Sequence, residues 1–381
     1  MLKNVTARLA LCALSAVSMA GMQPVFAQDT VTIGSFVSTS GSGAPFGVDQ
    51  LQGMELAIRH INASGGIAGR KLVLKQLDTA YDKTQAQSVV HNFVADKSVI
   101  GLVGPTSSAE AFAADPIAVA AKLPVLAPAN GAAGIPQIGP YVHRIGVPEE
   151  LLLPSAAKTA VKQLKLKKVA ILYAQDDPFA TTGFKAFQAQ LKADMVDVVE
   201  VIGYDSKAVD FTAQLQRLKD KNPEALFIAA KSSDGTVLLR QARQNGIMVP
   251  VVGNLSFTSP ALVAAAGDAV EGLIVAAVWD SSDASEMNQR FIAEYKKSFN
   301  RDATPLAATT YNCIYVIKEA LERSKDFSRE GLQKGLLAMN GFKYLGSAIE
   351  FRSIGNGLRD AVVDVPVLFQ HRGGKLTKMA L

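Results

Sequence analysis

The chain has 381 residues, of which 49% are hydrophobic, 19% charged and 7% aromatic, with 30 Gly and 16 Pro. That balance excludes a disordered, collagen-like or disulfide-scaffold protein, and the length suits two lobes with separate cores, because single cores seldom grow past about 250–300 residues. The formal charge is +5; Lys3 and Arg8 fall in a segment expected to be removed, which takes the 39 basic residues to 37 against 34 acidic ones. So mild an excess does not argue for nucleic acid. His60, His91, His143 and His371 are scattered without metal-ligand spacing, so no metal is expected.

In chain order, residues 1–27 read as a signal peptide. Lys3 and Arg8 supply its positive start, Leu9–Ala20 its apolar stretch, and Val25-Phe26-Ala27 the small residues before a cut after Ala27. The apolar run is shorter than the ~20 residues a membrane anchor needs, and no later stretch is apolar enough to span. An exported, soluble, periplasmic protein is expected. Cys313 is then the one remaining cysteine, expected as a buried small hydrophobe.

From Val31 onward β-type runs alternate with helical patterns. Val31–Phe36 reads as a strand, and Leu51, Met54, Ile58 and Ile61 recur at helical spacing up to Gly65-Gly66. Leu72–Leu77, Val99–Val103 and Val125–Ala127 are further strands, with helices over 83–96 and 108–121 between them. The alternation restarts at 149–163, with strands at Val169–Tyr173, Val198–Gly203, Ala225–Ala230, Val249–Gly253 and Leu273–Val278. Helices are expected near 181–193, 210–220 and 234–244, mostly helical sequence over 285–340, and strands at Ala348–Phe351 and Ala361–Leu368. Strand-then-helix repetition with Val/Ile-rich strands predicts an α/β fold of two doubly wound, Rossmann-like lobes with parallel sheets.

Enzyme signatures are scarce. No phosphate loop, dinucleotide fingerprint, nucleophile elbow or His-Glu-x-x-His occurs, and Gly41–Gly47 has the wrong glycine spacing. No cofactor is expected. The most informative segment is Gly104-Pro105-Thr106-Ser107-Ser108-Ala109-Glu110. It joins a buried-type strand to a helix, and Ser107 with Glu110 has capping-box spacing. A helix start at the carboxyl end of a parallel strand favours an anion by about 0.3–2 kcal/mol, enough to orient a ligand.

The first strand, the Ser40-Gly41 loop, Ile61-Asn62-Ala63-Ser64-Gly65-Gly66-Ile67, Asp78 and Val103–Ser108 together resemble an exported solute receptor. So do Pro124–Pro128, Leu239-Arg240-Gln241-Ala242 with Gly246, and Gly346, Phe351 and Gly355. The family is the leucine/isoleucine/valine-binding class of periplasmic proteins that serve ABC importers, with the type I periplasmic binding fold. The resemblance spans essentially the whole chain after the leader. It implies two lobes joined by three hinge crossovers near 142–147, 275–281 and 343–349. Lobe one would hold 28–144 and 280–344, and lobe two 145–279 and 345–381.

The same resemblance implies ligand contacts from Phe46, Ser107, Ser108, Ala129, Asn130 and Gly131 in lobe one. Lobe two would add Phe179 and Lys231 or Ser232. Trp279, at the second crossover, either lines the cleft or packs, and Tyr311 stands likewise; Arg144 is read as a hinge salt bridge. The chain departs from the amino-acid binders at Gly253-Asn254-Leu255-Ser256, where Leu255 takes the place of the glutamate that pairs a ligand's ammonium. A buried charge left unpaired costs about 3–5 kcal/mol, so Asp176, Asp177, Asp234 or Asp280 would have to substitute. A carboxylate on an apolar or aromatic body therefore suits this set better than a zwitterion. The expected partners are that small-molecule carboxylate and a membrane permease. A branched-chain amino acid ligand, an exported amide hydrolase and a ligand-sensing subunit are the alternatives.

Overall fold

The computed structural model describes residues 30–346, 348–363 and 366–379; the leader expected at 1–27 lies outside them. Strand β1 (Thr30–Ser35) is buried along all but its first residue, as a strand covered on both faces must be. Helix α1 (Ala44–Ala63), β2 (Lys71–Gln76), α2 (Lys83–Ala95), β3 (Val99–Val103), α3 (Ser108–Ala120), β4 (Val125–Ala127) and β5 (Val142–Arg144) follow. The strands form a five-stranded sheet in the order β2-β1-β3-β4-β5, with every pair parallel.

The chain then enters a second sheet through α4 (Glu149–Leu164), β6 (Lys168–Ala174), α5 (Pro178–Ala193), β7 (Asp197–Tyr204) and α6 (Thr212–Lys221). It continues through β8 (Ala225–Ala229), α7 (Ser232–Gln244), β9 (Val251–Gly253), α8 (Pro260–Ala266) and β10 (Ile274–Ala277). Strand β8 is buried at all five positions, which its unbroken Ala-Leu-Phe-Ile-Ala run foretold. Helices α9 (Glu286–Phe299), α10 (Pro305–Ser324) and α11 (Arg329–Leu337) return to the first sheet, α10 lying along α1. Gly53 allows that approach: a Cβ there would sit 2.2 Å from the Ala307 carbonyl oxygen. Cys313, on α10, is buried and free, and burial pushes its thiol up, away from reactivity.

The last part of the chain departs from the expected division. Strands β11 (Gly341–Phe342), β12 (Ile349–Gly355) and β13 (Leu358–Val362) form a small antiparallel sheet, held to β5 by the ion pair of Arg144 with Asp360. Residues 348–362, assigned from sequence to lobe two, thus sit with the first sheet. Only β14 (Val367–Arg372) and β15 (Lys375–Lys378) join the second sheet, in the order β15-β14-β10-β9-β8-β6-β7. The chain is thus still with the first sheet at Val362 and in the second by Val367, so no return is made near 343–349. The physical reasons are the Asn356-Gly357 turn, whose φ values of 52° and 74° fold β12 and β13 into one hairpin, and the buried Arg144–Asp360 pair that anchors that hairpin beside β5.

Candidate functional site

In an open parallel sheet, a crevice forms outside the carboxyl ends of neighbouring strands whose connections run in opposite directions. In the first sheet that point lies between β1 and β3. The loop after β1 leads to Phe46 on α1, and the turn after β3 supplies Thr106 and Ser107 and opens α3 at Ser108. In the second sheet it lies between β6 and β8, after which come the cap Asp177, Phe179 in the first turn of α5, and Lys231 before α7. The two crevices face each other across one cleft, which encloses about 920 Å³ counted out to its mouth. Phe46, Val147, Leu152, Phe179, Leu255 and Leu306 make most of its wall apolar.

Hydrogen-bond accounting separates the two adjacent serines. Ser107 caps α3: its Oγ accepts from Glu110 N–H at 3.2 Å and donates to Glu110 Oε2 at 2.7 Å, while its N–H donates to the same oxygen at 2.9 Å. The cap therefore uses the single hydroxyl proton. Ser108 Oγ accepts from Ala132 N–H at 3.3 Å, which leaves its own proton for a guest. The unpaired N–H groups of the first turn of α3 add to the same anion-seeking end. Glu110 is buried, and burial raises its carboxyl although Thr79, Ser107 and Ser38 all donate to it. Thr106 is likewise spent, accepting from Ser38 N–H at 2.8 Å and donating to Gln50 at 2.7 Å.

Two carboxyl groups line the cleft among the described residues, and each faces a cation of the protein. Asp49 pairs with Arg301; burial nevertheless pushes it up to about 6. Asp177 caps α5, accepting from Ala180 N–H at 3.0 Å, and lies 3.9 Å from Lys231 Nζ. Burial raises it too, with Lys231 pulling the other way. Asp234, behind them, accepts from Tyr204 at 2.8 Å and is pushed by burial to about 6. Asp176 is engaged by Ser206, and Asp280 by Lys378 and Ser282.

Of the residues singled out from sequence, Phe46, Ser107, Ser108, Ala129, Phe179, Lys231 and Leu255 line the cleft. Asn130, Gly131, Ser232 and Trp279 do not. Asn130 is fully buried, its carbonyl taken by Arg144 at 3.3 Å. Gly131 lies against the Phe179 ring, which a Cβ would meet at 2.8 Å. Ser232 turns its hydroxyl to the Ser256 carbonyl at 3.0 Å. Trp279 is 4% exposed, bonded to Asn288 at 2.8 Å and packed edge-on to Phe291. Tyr311 is buried in a chain with His60 and Tyr315. Arg144 forms the buried hinge-side ion pair with Asp360.

The sequence reading missed Asp49 and Tyr81. Asp49 follows Phe46 by three residues on α1 and so shares its face, a signal that was available. Tyr81 carried none: it enters because Ala80 and Tyr81 take positive φ values of 51° and 60°. Tyr81 brings its ring 6.0 Å from Lys231 Nζ.

Two α/β halves facing each other across an apolar cleft with polar ends define a small-molecule-binding clamshell. A family model described as periplasmic binding protein matches residues 30–362, and the chain belongs to that family. A Leu/Ile/Val-binding protein homologue of Brucella suis is 28% identical over 355 residues, covering 87% of this chain and 86% of the relative. The leucine-binding protein LivK of Thermotoga maritima superposes with a TM-score of 0.85 at 24% identity, over 92% of this chain and 98% of that one. A solute-binding protein of an ABC transporter from Rhodopseudomonas palustris, in complex with 3,4-dihydroxybenzoic acid, gives 0.81 at 26% identity, over 92% and 97%.

Proposed function

We propose that this chain is the exported, periplasmic receptor of an ABC importer and that its guest is a small carboxylate on an apolar body, an aromatic acid before all others. Closing of the lobes over the guest would favour the form that a membrane permease engages. The observation that carries the choice of guest is the state of the cleft's carboxyls. Asp49 faces Arg301 and Asp177 faces Lys231, while Leu255, which the family resemblance sets at the ammonium partner's position, adds an apolar side chain to the cleft wall. An ammonium brought into this wall meets no anion without a cation already beside it, whereas a carboxylate meets the Ser108 hydroxyl and the start of α3.

Calorimetric titration with leucine, phenylalanine, benzoate and hydroxycinnamates tests the reading. The acids should bind, and leucine should bind about two to three and a half decades more weakly than it does to a receptor with its ammonium paired. Tight leucine binding with no response to the acids would overturn it. The second reading, a branched-chain amino acid, rests on the Leu/Ile/Val-binding names of the relatives, and the same titration decides. A hydrolase would need a base beside Ser108. The neighbour of Ser108 Oγ is instead Ala132 N–H, and His143 bonds Gln333 while His371 bonds the Phe257 carbonyl. A sensing role uses the same clamshell, and uptake into permease-containing vesicles separates it from transport.

A further inference from the structure

The lobe-two end of the cleft presents two opposite charges that do not touch. Lys231 Nζ and Asp177 Oδ2 are 3.9 Å apart, beyond hydrogen-bond reach, and both residues line the cleft. Each is fixed from behind. Asp177 Oδ1 accepts from Ala180 N–H at 3.0 Å, and Lys231 Nζ donates to Ser206 Oγ at 3.0 Å. Ser206 is held in turn by donating to Asp176 at 2.8 Å. An ammonium has three protons to donate, so Lys231 retains donors after Ser206. The Tyr81 ring closes the same corner.

The chemistry of that gap is selective. A group entering it must accept from an ammonium and donate to a carboxylate at once. A carbonyl or ether only accepts, an ammonium only donates, and a second carboxylate would be repelled by Asp177. An apolar tip would strip water from both charges without replacing it, which is costly. A hydroxyl does both.

We propose that the ligand is a hydroxylated aromatic acid. Its carboxylate lies at Ser108, and a ring hydroxyl at the far end bridges Lys231 and Asp177. These two residues then discriminate against the acid that lacks the hydroxyl. The inference rests on the carboxylate reading given above.

Calorimetric affinities for two matched pairs test it: 4-hydroxybenzoate against benzoate, and 4-hydroxycinnamate against cinnamate. The wild type should prefer the hydroxylated member of at least one pair by about 10- to 100-fold, the worth of a hydroxyl bonded to charged groups. Asp177→Asn keeps a good helix cap but turns an acceptor into a donor, and Lys231→Met removes the other partner. In both variants the ratio should narrow toward one. Melting temperatures verify that the variants are folded.

Equal wild-type affinities within both pairs, or variants that leave the ratio intact, would overturn the bridge while sparing the carboxylate reading. Lys231→Met weakening both members equally, with Ser108→Ala having no effect, would mean the acid binds reversed, its carboxylate on Lys231. If none of the four acids binds, the carboxylate reading fails and the bridge fails with it.

Discussion

Neighbouring hydroxyls at Ser107 and Ser108 have different roles because each has one proton to give. Ser107→Ala should cost about 1 kcal/mol of stability through the lost cap and change affinity little. Ser108→Ala should leave the cap intact and weaken carboxylate binding by about 1–3 kcal/mol. Urea denaturation and calorimetry on the two variants check this pair of outcomes; the reverse pattern would exchange their roles. Glu149 poses a different question. It is fully buried, one oxygen accepts from Leu255 N–H at 3.4 Å, and the other has no partner. Burial pushes its carboxyl up to about 8 from 4.5. Below about pH 4.5 the group is protonated whether the chain is folded or not. As pH rises from there towards 8 only the unfolded chain gains by ionising, so stability falls by up to a few kcal/mol and then levels off. Glu149→Gln should remove that slope. The difference between wild type and variant across pH 5 to 8 isolates it from His143, which burial holds down at about 4 and whose contribution is lost as pH falls below 6.5.

The hairpin of β12 and β13 matters at the scale of elements, because it completes the support of a cleft loop. Arg144, 2% exposed, pairs with Asp360 of β13 and also donates to the Ala132 carbonyl at 2.7 Å. The loop that carries Ala129 and Ala132 is thus pinned by a strand more than two hundred residues later in the chain. Asp360→Ala leaves a buried guanidinium without its counter-charge and should cost about 3–5 kcal/mol, read by chemical denaturation. A loss under 1 kcal/mol would show that the pair is not needed to hold the loop. Where α1 meets α10, Gly53→Val should cost about 1–3 kcal/mol, the usual effect of overpacking, because its Cβ would collide with backbone rather than with a movable side chain.

At the scale of the whole molecule, hydrogen bonds beside the cleft help to hold the halves together. Ala133 N–H, from the first half, donates to Thr182 Oγ1 of α5 at 2.9 Å, and Glu149 N–H donates to the Gly131 carbonyl at 3.1 Å. Thr182→Val removes the acceptor for Ala133 while keeping the side chain's shape. The contact exists only when the halves are together, so its loss should move the unliganded population towards the open form. Small-angle scattering should record a larger unliganded radius that returns to the wild-type value at saturation. Affinity should fall about three- to tenfold, equally for every acid, as the loss of one hydrogen bond requires. A ligand-dependent loss would instead place Thr182 in contact with the guest.

The family resemblance pointed to Phe46, Phe179, Lys231 and Leu255; the residues by themselves determined the alternation of strands and helices and the cap at Ser107. These are local properties: apolar spacing, cap chemistry and the end of a strand are all written within a few residues. Asn356-Gly357 carried a hairpin signal that the sequence reading passed over, and nothing local fixed the lodging of that hairpin beside β5. Only the tertiary structure decided which serine keeps a free proton, that Asp49 and Asp177 each face a cation, that Trp279 packs away from the cleft, and that Tyr81 enters it. Those outcomes depend on partners tens to hundreds of residues apart and on how much water each group loses. Hydrogen bonds and charges are shared out only once the chain has brought their claimants together.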